Sequence, residues 1–265
     1  MRSLLIVSLA LLMICGVAYA DLKDNLLIGV EYSNVEKKVD DAVPLSLSIF
    51  NTEIGVIGSI KDVDVSTVLA NIGYKISDNL IPYVLVGDLS AEYIYSLKGY
   101  LGNGSMDLLT HSYEQNGIAY GFGARGKLVD LPKELRVMYD VRHLQARSDD
   151  TINTSVLGCN FPTDVDVNYG EWNAQLILTR DFAMSKFVQS ISPYVGYRYT
   201  SVQMGISNDI KLGKNLVLGT EYDVNGNLHS LVAGTSVRIN DHLTASVNAI
   251  ALDEEGVMGS LTYNF

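Results

Sequence analysis

Residues 242–265 read HLTASVNAIALDEEGVMGSLTYNF, and their alternation decides the fold. Val257, Gly259, Leu261, Tyr263 and Phe265 fall on one face of an extended segment, with Met258, Ser260, Thr262 and Asn264 on the other. The preceding segment repeats the scheme: Leu243, Ala245, Val247, Ala249 and Ala251 against Thr244, Ser246, Asn248 and Ile250. A period of two marks strands whose two faces meet different surroundings, because successive side chains point to opposite sides.

The same pattern runs upstream. Ile118, Tyr120, Phe122, Ala124 and Leu128 oppose Gly121, Gly123, Arg125 and Lys127, and Leu135, Val137, Tyr139 and Val141 oppose Arg136, Asp140 and Arg142. Trp172, Ala174, Leu176 and Leu178 oppose Glu171, Asn173, Gln175 and Thr179. Twelve strands are expected, at about 25–33, 64–76, 81–96, 117–129, 135–146, 167–180, 191–199, 202–210, 214–224, 229–239, 242–251 and 256–265. The apolar phase slips between Tyr199 and Val202, which reads as a turn at Thr200-Ser201 or a bulge. With residues 200–227 as one long loop, the count falls to ten. Asn225-Gly226 has hairpin chemistry, since both residues tolerate positive φ. Short turns at 77–79, 130–133 and 240–242 take turns with long connections at about 34–63, 101–116 and 147–164. That alternation suits an up-and-down meander whose two ends face different compartments.

Composition narrows the class. The chain has 265 residues, 48% of them hydrophobic, and a formal charge of −11. An acidic balance argues against nucleic-acid binding, which needs a basic footprint. Two cysteines give no disulfide framework. Residues 1–20, MRSLLIVSLALLMICGVAYA, have a positive start, an apolar stretch and the small-x-small ending Ala18-Tyr19-Ala20, so they are expected to be a cleaved export signal. Residues 21–265 then form a single domain. No later apolar run approaches the roughly 20 residues of a membrane helix.

Alternation fits both a soluble sandwich and a membrane barrel. The export signal favours the barrel, as do polar faces mixing Gly, Ser, Thr and Asn with scattered charges. So do tyrosines near strand ends on the apolar face: Tyr32, Tyr74, Tyr139, Tyr197, Tyr222 and Tyr263. The ending Leu261-Thr262-Tyr263-Asn264-Phe265 resembles the C-terminal signature of bacterial outer-membrane β-barrel proteins, a last strand with alternating apolar residues and a terminal aromatic. The resemblance implies an all-β, closed, antiparallel transmembrane barrel of 12 strands (alternatively 10) in the bacterial outer membrane. It also implies a signature read by the barrel-assembly machinery, and contact with the lipid bilayer and lipopolysaccharide.

No catalytic constellation emerges. Gly121-Phe122-Gly123-Ala124-Arg125-Gly126 has G-x-G-x-x-G spacing but sits inside a strand with no helix to receive a phosphate. His229 and Ser230 are strand neighbours and point to opposite faces, while His242 falls in a short turn, His143 on the expected lipid-facing side and His111 in a long loop beside Ser112. Acidic clusters such as Glu254-Glu255 read as solvated loop charges. Neither an enzyme, a cofactor nor a metal site is expected.

The inward charges carry the functional expectation. Glu31, Asp88, Glu92, Arg125, Lys127, Arg136, Asp140, Arg142, Glu171, Arg198, Glu221, Asp223 and Arg238 are assigned to the lumen by face. Arg125, Lys127, Arg136 and Arg142 would form a basic wall facing acidic strands, a transverse field of the kind by which diffusion channels select charged solutes. The function expected is a narrow porin-like passive channel for small polar or charged solutes. The alternative is a non-conducting structural or surface-interaction barrel whose external loops bind partners.

Overall fold

A computed structural model describes the backbone of residues 25–39, 41–49, 52–101, 104–156, 159–184, 188–211 and 217–265. Side chains are described at these positions except 41–49, 52–58, 60–62, 94–95, 97–101, 104–113, 150, 152–156, 159–161, 208, 210–211 and 217–222. The expected export signal, residues 1–20, lies outside the described residues.

Ten strands close into an antiparallel barrel: β1 (Leu26–Lys37), β3 (Thr52–Tyr74), β4 (Ile81–Leu101), β5 (Gly104–Leu131), β6 (Leu135–Val156), β7 (Cys159–Arg180), β9 (Ser190–Lys211), β10 (Val217–Arg238), β11 (Leu243–Leu252) and β12 (Glu254–Asn264). Closure is made by β1, which pairs with β12 from Leu27↔Asn264 to Lys37↔Glu254 and with β3 from Leu26↔Tyr74 to Lys37↔Val63. The sheet therefore presents no open edge to lipid over the length of β1 and β12, as unpaired backbone groups in a bilayer would require. Two elements lie off the ring. β2 (Asp41–Ile49) continues the sheet on the upper part of β3, and the two-residue β8 (Phe182–Ala183) pairs with β9.

The ring thus has the alternative count of ten strands in place of twelve, though by a different route than a long loop at 200–227. The segments expected at 191–199 and 202–210 are one strand, β9, and those at 214–224 and 229–239 are one strand, β10. Thr200 and Ser201 form no turn but pair with Leu228 and Asn227, and Asn225 and Gly226 pair with Gln203 and Val202 instead of closing a hairpin. Residues 104–116, 147–156 and 159–164, expected in loops, likewise prolong β5, β6 and β7. The long strands have 21 to 28 residues, whereas roughly 9–11 cross a bilayer. About half of each stands clear of the membrane.

The apolar phase slips because the two faces exchange polarity. Low on β9, Ile191, Val195, Tyr197 and Tyr199 point outward while Ser192, Tyr194 and Arg198 point inward. Higher on the same strand, Gln203 faces out and Val202, Met204 and Ile206 are buried inside. β6 changes over between outward His143 and inward Leu144, β7 between Trp172 and Tyr169, and β10 between Leu231 and Leu228. The changeovers form a border around the barrel. Below it an exterior band including Val30, Val84, Phe122, Val195, Leu231 and Leu261 is exposed, as a lipid-facing surface is. Above it the outside is polar, and one buried cluster including Val65, Leu69, Leu89, Tyr93, Leu144, Val167, Met204 and Val224 fills the inside.

Aromatic rings mark the border. His143 stacks on Trp172 at 4.6 Å, and Phe122 meets Trp172 edge-on at 6.0 Å. Tyr32, Tyr74, Tyr139, Tyr197 and Tyr263 all face outward, while the side chain of Tyr222 is outside the described residues. The tight turns at 77–79 and 240–242 and the 3-10 turn Pro132–Glu134 lie at the opposite end from the tall strands, the end that faces the periplasm in outer-membrane barrels.

Candidate functional site

Among the described residues, two polar features of the lumen bear on function. The first crosses it at the border. Lys37 on β1, Glu171 on β7, Arg198 on β9 and Glu254 at the start of β12 form a closed ring of alternating charge. Lys37 Nζ lies 3.1 Å from Glu171 and 2.7 Å from Glu254, and Arg198 lies 3.3 Å from Glu171 and 3.0 Å from Glu254. All four side chains are at most 4% exposed. Such burial is tolerated only when the remaining polar atoms are also satisfied. Thr200 donates to Glu254 Oε2 at 2.9 Å, Ser230 Oγ donates to the same oxygen at 3.3 Å, and Tyr169 OH donates to Glu171. Asn173, with its amide oxygen toward the guanidinium, accepts from Arg198 Nη2 at 2.9 Å.

Local backbone geometry places Glu254. β11 and β12 are short and joined by an abrupt turn in which Leu252 adopts φ 98, an uncommon conformation for a branched residue. Lys38 holds that turn, its backbone N–H donating to Asp253 O at 2.9 Å and its Nζ to Leu252 O at 3.1 Å. The Lys38 ammonium also pairs with Glu255 on the outside, and this hydrogen bond raises its pKa above the ordinary lysine value. One residue of the acidic pair therefore faces water and the other lies buried in the lumen. The expectation that both are solvated loop charges is corrected for Glu254.

The second feature is a vestibule of about 380 Å³ between the ring and the short-turn end. Arg125, Arg136, Asp140, Arg142 and Arg238 line it, with Glu31, Asp181 and a wall of serines and threonines from β9 to β12. Arg142 pairs with Glu31 at 3.2 Å, and Asn71 also donates to Glu31 at 2.7 Å. Arg136 pairs with Asp181. Tyr83 donates to Asp140 and carries Arg125 over its ring at 5.4 Å. Tyr83 fits because position 123 is glycine: a Cβ there would lie 2.5 Å from the phenol oxygen. The glycine spacing that resembles a nucleotide loop is thus a packing requirement.

Other lumen assignments fall differently. Lys127 sits toward the short-turn end, paired with Asp130 at 2.8 Å. Glu171 and Arg198 are locked in the ring. Asp88, Glu92 and Asp223 are corrected to the outer face, where the exchange of polarity puts charges in water. The side chains of Glu221 and His111 lie outside the described residues. Sequence reasoning passed over Lys37, Tyr83, Thr200, Ser230 and Glu254. The one signal that could have found them is a lone charge on a face that is otherwise turning apolar, as Lys37 is between Val35 and Val39.

Among the described residues, the three histidines sit on the exterior: His143 against Trp172, His229 against Tyr197 and Tyr199, and His242 beside Asn264 O at 2.8 Å.

No family model matches the chain, and no curated protein matches it. Among solved structures, it is similar to the outer membrane protease OmpT from Escherichia coli, with a TM-score of 0.54 at 9% identity, over 94% of this chain and 99% of that one. The beta domain of the Bordetella autotransporter BrkA matches with a TM-score of 0.44 at 12% identity, over 91% of this chain and 99% of that one. At such identities the OmpT likeness concerns the fold. With the exterior apolar band, it makes this chain a β-barrel of the bacterial outer membrane.

Proposed function

We propose that this chain is a non-conducting barrel whose working surface is the polar outer half of its strands, held upright above the membrane by the closed lower half. The observation that carries the proposal is the buried ring of Lys37, Glu171, Arg198 and Glu254, with the apolar cluster directly above it. An ion passing the ring would have to displace groups that satisfy one another, and then enter an interior that is mostly apolar among the described residues, with Gln115 and Thr163 buried there. The basic residues that suggested a selective channel wall support the same reading: Arg136 and Arg142 are neutralised by Asp181 and Glu31. The part above the border, with polar groups outside and a packed core inside, has the make-up of a soluble domain and suits contact with partners at the cell surface.

Planar-bilayer recording on folded protein tests this. Silence at moderate voltage is the expected result. Uniform conductance steps from wild-type protein would overturn the proposal and restore the passive channel for small polar solutes.

A further inference from the structure

We infer that the vestibule is a binding site for a small, hydroxyl-rich monoanion of the sugar-acid class, entering from the periplasmic side. The inference does not depend on whether the barrel conducts. Three observations carry it.

Size comes first. About 380 Å³ falls in the range of small-molecule sites, roughly 300–1,000 Å³, and the cavity is closed at its inner end by the charged ring.

Charge comes second. Four arginines (Arg125, Arg136, Arg142 and Arg238) share the lining with three carboxylates (Glu31, Asp140 and Asp181), which leaves one positive charge. Pairing identifies its holder. Arg142 and Arg136 are engaged by Glu31 and Asp181, and Arg125 lies opposite Asp140 across the β5–β6 ladder. Arg238, cross-strand from Ser190 and Thr244, has a hydroxyl residue on each side and no carboxylate. An arginine in this setting matches a ligand carboxylate, which accepts two parallel hydrogen bonds from the guanidinium.

The chemistry of the remaining wall comes third. Ser190, Ser192, Ser236, Thr244, Ser246 and Ser260 are contributed by four neighbouring strands, β9 to β12. A hydroxyl donates and accepts at once, so a wall of them serves a solute carrying several hydroxyls of its own. Around the ten-strand ring, β5 and β10 stand four steps apart, so Arg125 faces Arg238 from nearly the opposite side. A sugar-sized body between them would place its carboxylate on Arg238 and its hydroxyls on the serine wall.

The test is calorimetric titration of the folded, detergent-solubilised barrel with glucuronate, with glucose and acetate in parallel. Heat-modifiable gel migration confirms that each variant is folded. The expected result is saturable, one-to-one binding of glucuronate, at least tenfold weaker binding of glucose and of acetate, and weakening as salt is raised. Arg238→Gln should weaken glucuronate at least tenfold. Arg180→Gln, the same charge change on the outer face beside Phe182, should leave it unchanged. Absence of saturable glucuronate binding overturns the inference, and so does equal weakening by the two variants. If acetate binds as well as glucuronate, the sugar class is wrong.

Discussion

Along β9, Val195 and Tyr197 face lipid while Val202 and Met204, further up the same uninterrupted strand, face the lumen. The lower barrel is apolar outside and polar inside; the upper barrel reverses both. Pleating is the same throughout, so each strand answers to two solvents in succession. In the bilayer, apolar side chains gain nothing by turning inward, because acyl chains already receive them. Above it, water surrounds the barrel and the same side chains are driven into a core. The ring of Lys37, Glu171, Arg198 and Glu254 sits where the two regimes meet.

The largest effect should come from breaking that junction. Glu254→Ala leaves Lys37 and Arg198 facing Glu171 alone, and removing one member of a buried ion pair costs about 3–5 kcal/mol. Urea unfolding in micelles should show a loss of that size, and an unchanged midpoint would mean that water fills the gap.

A matched pair of substitutions sharpens the comparison on a single face. Val195→Arg, outward in the apolar band, should cost about 2–4 kcal/mol for barrels folded into vesicles. Gln203→Arg, outward on the same strand above the border, should stay within about 0.5 kcal/mol. Equal costs would place the membrane surface elsewhere.

The smallest effect lies in the short turn between β3 and β4. Asp78 accepts a hydrogen bond from Lys75, with Nζ 2.8 Å from Oδ1, and this holds its carboxyl below the usual range. A pKa depressed in the folded state means that the contribution is fully present above the unfolded value, roughly 3.9, and is lost as pH falls through the folded one. Unfolding midpoints of wild type and Lys75→Gln should therefore differ slightly at pH 6 and converge toward pH 3. A gap that widens in acid would contradict the pairing.

Much of the lower barrel was legible in the chain. Alternation at 118–128, 135–142, 172–179 and 243–265 assigns the lipid face correctly, and Arg125, Arg136 and Arg142 follow as lumen residues. The upper barrel was misread for one reason. At Tyr199–Val202 the apolar residues change phase, which looks the same in sequence whether the chain turns, bulges or keeps going while its faces trade surroundings. The ring was illegible because Lys37 and Glu254 stand 217 positions apart and meet only when β1 closes on β12.

By itself, the sequence determined that the chain forms strands with two unlike faces and that its lower band is fit for lipid, because periodicity and composition are local. Only the tertiary structure decided how many strands there are, where the faces trade places and which charges meet across the lumen. Those depend on closure, which brings distant residues together and sets on which side of the wall water is found.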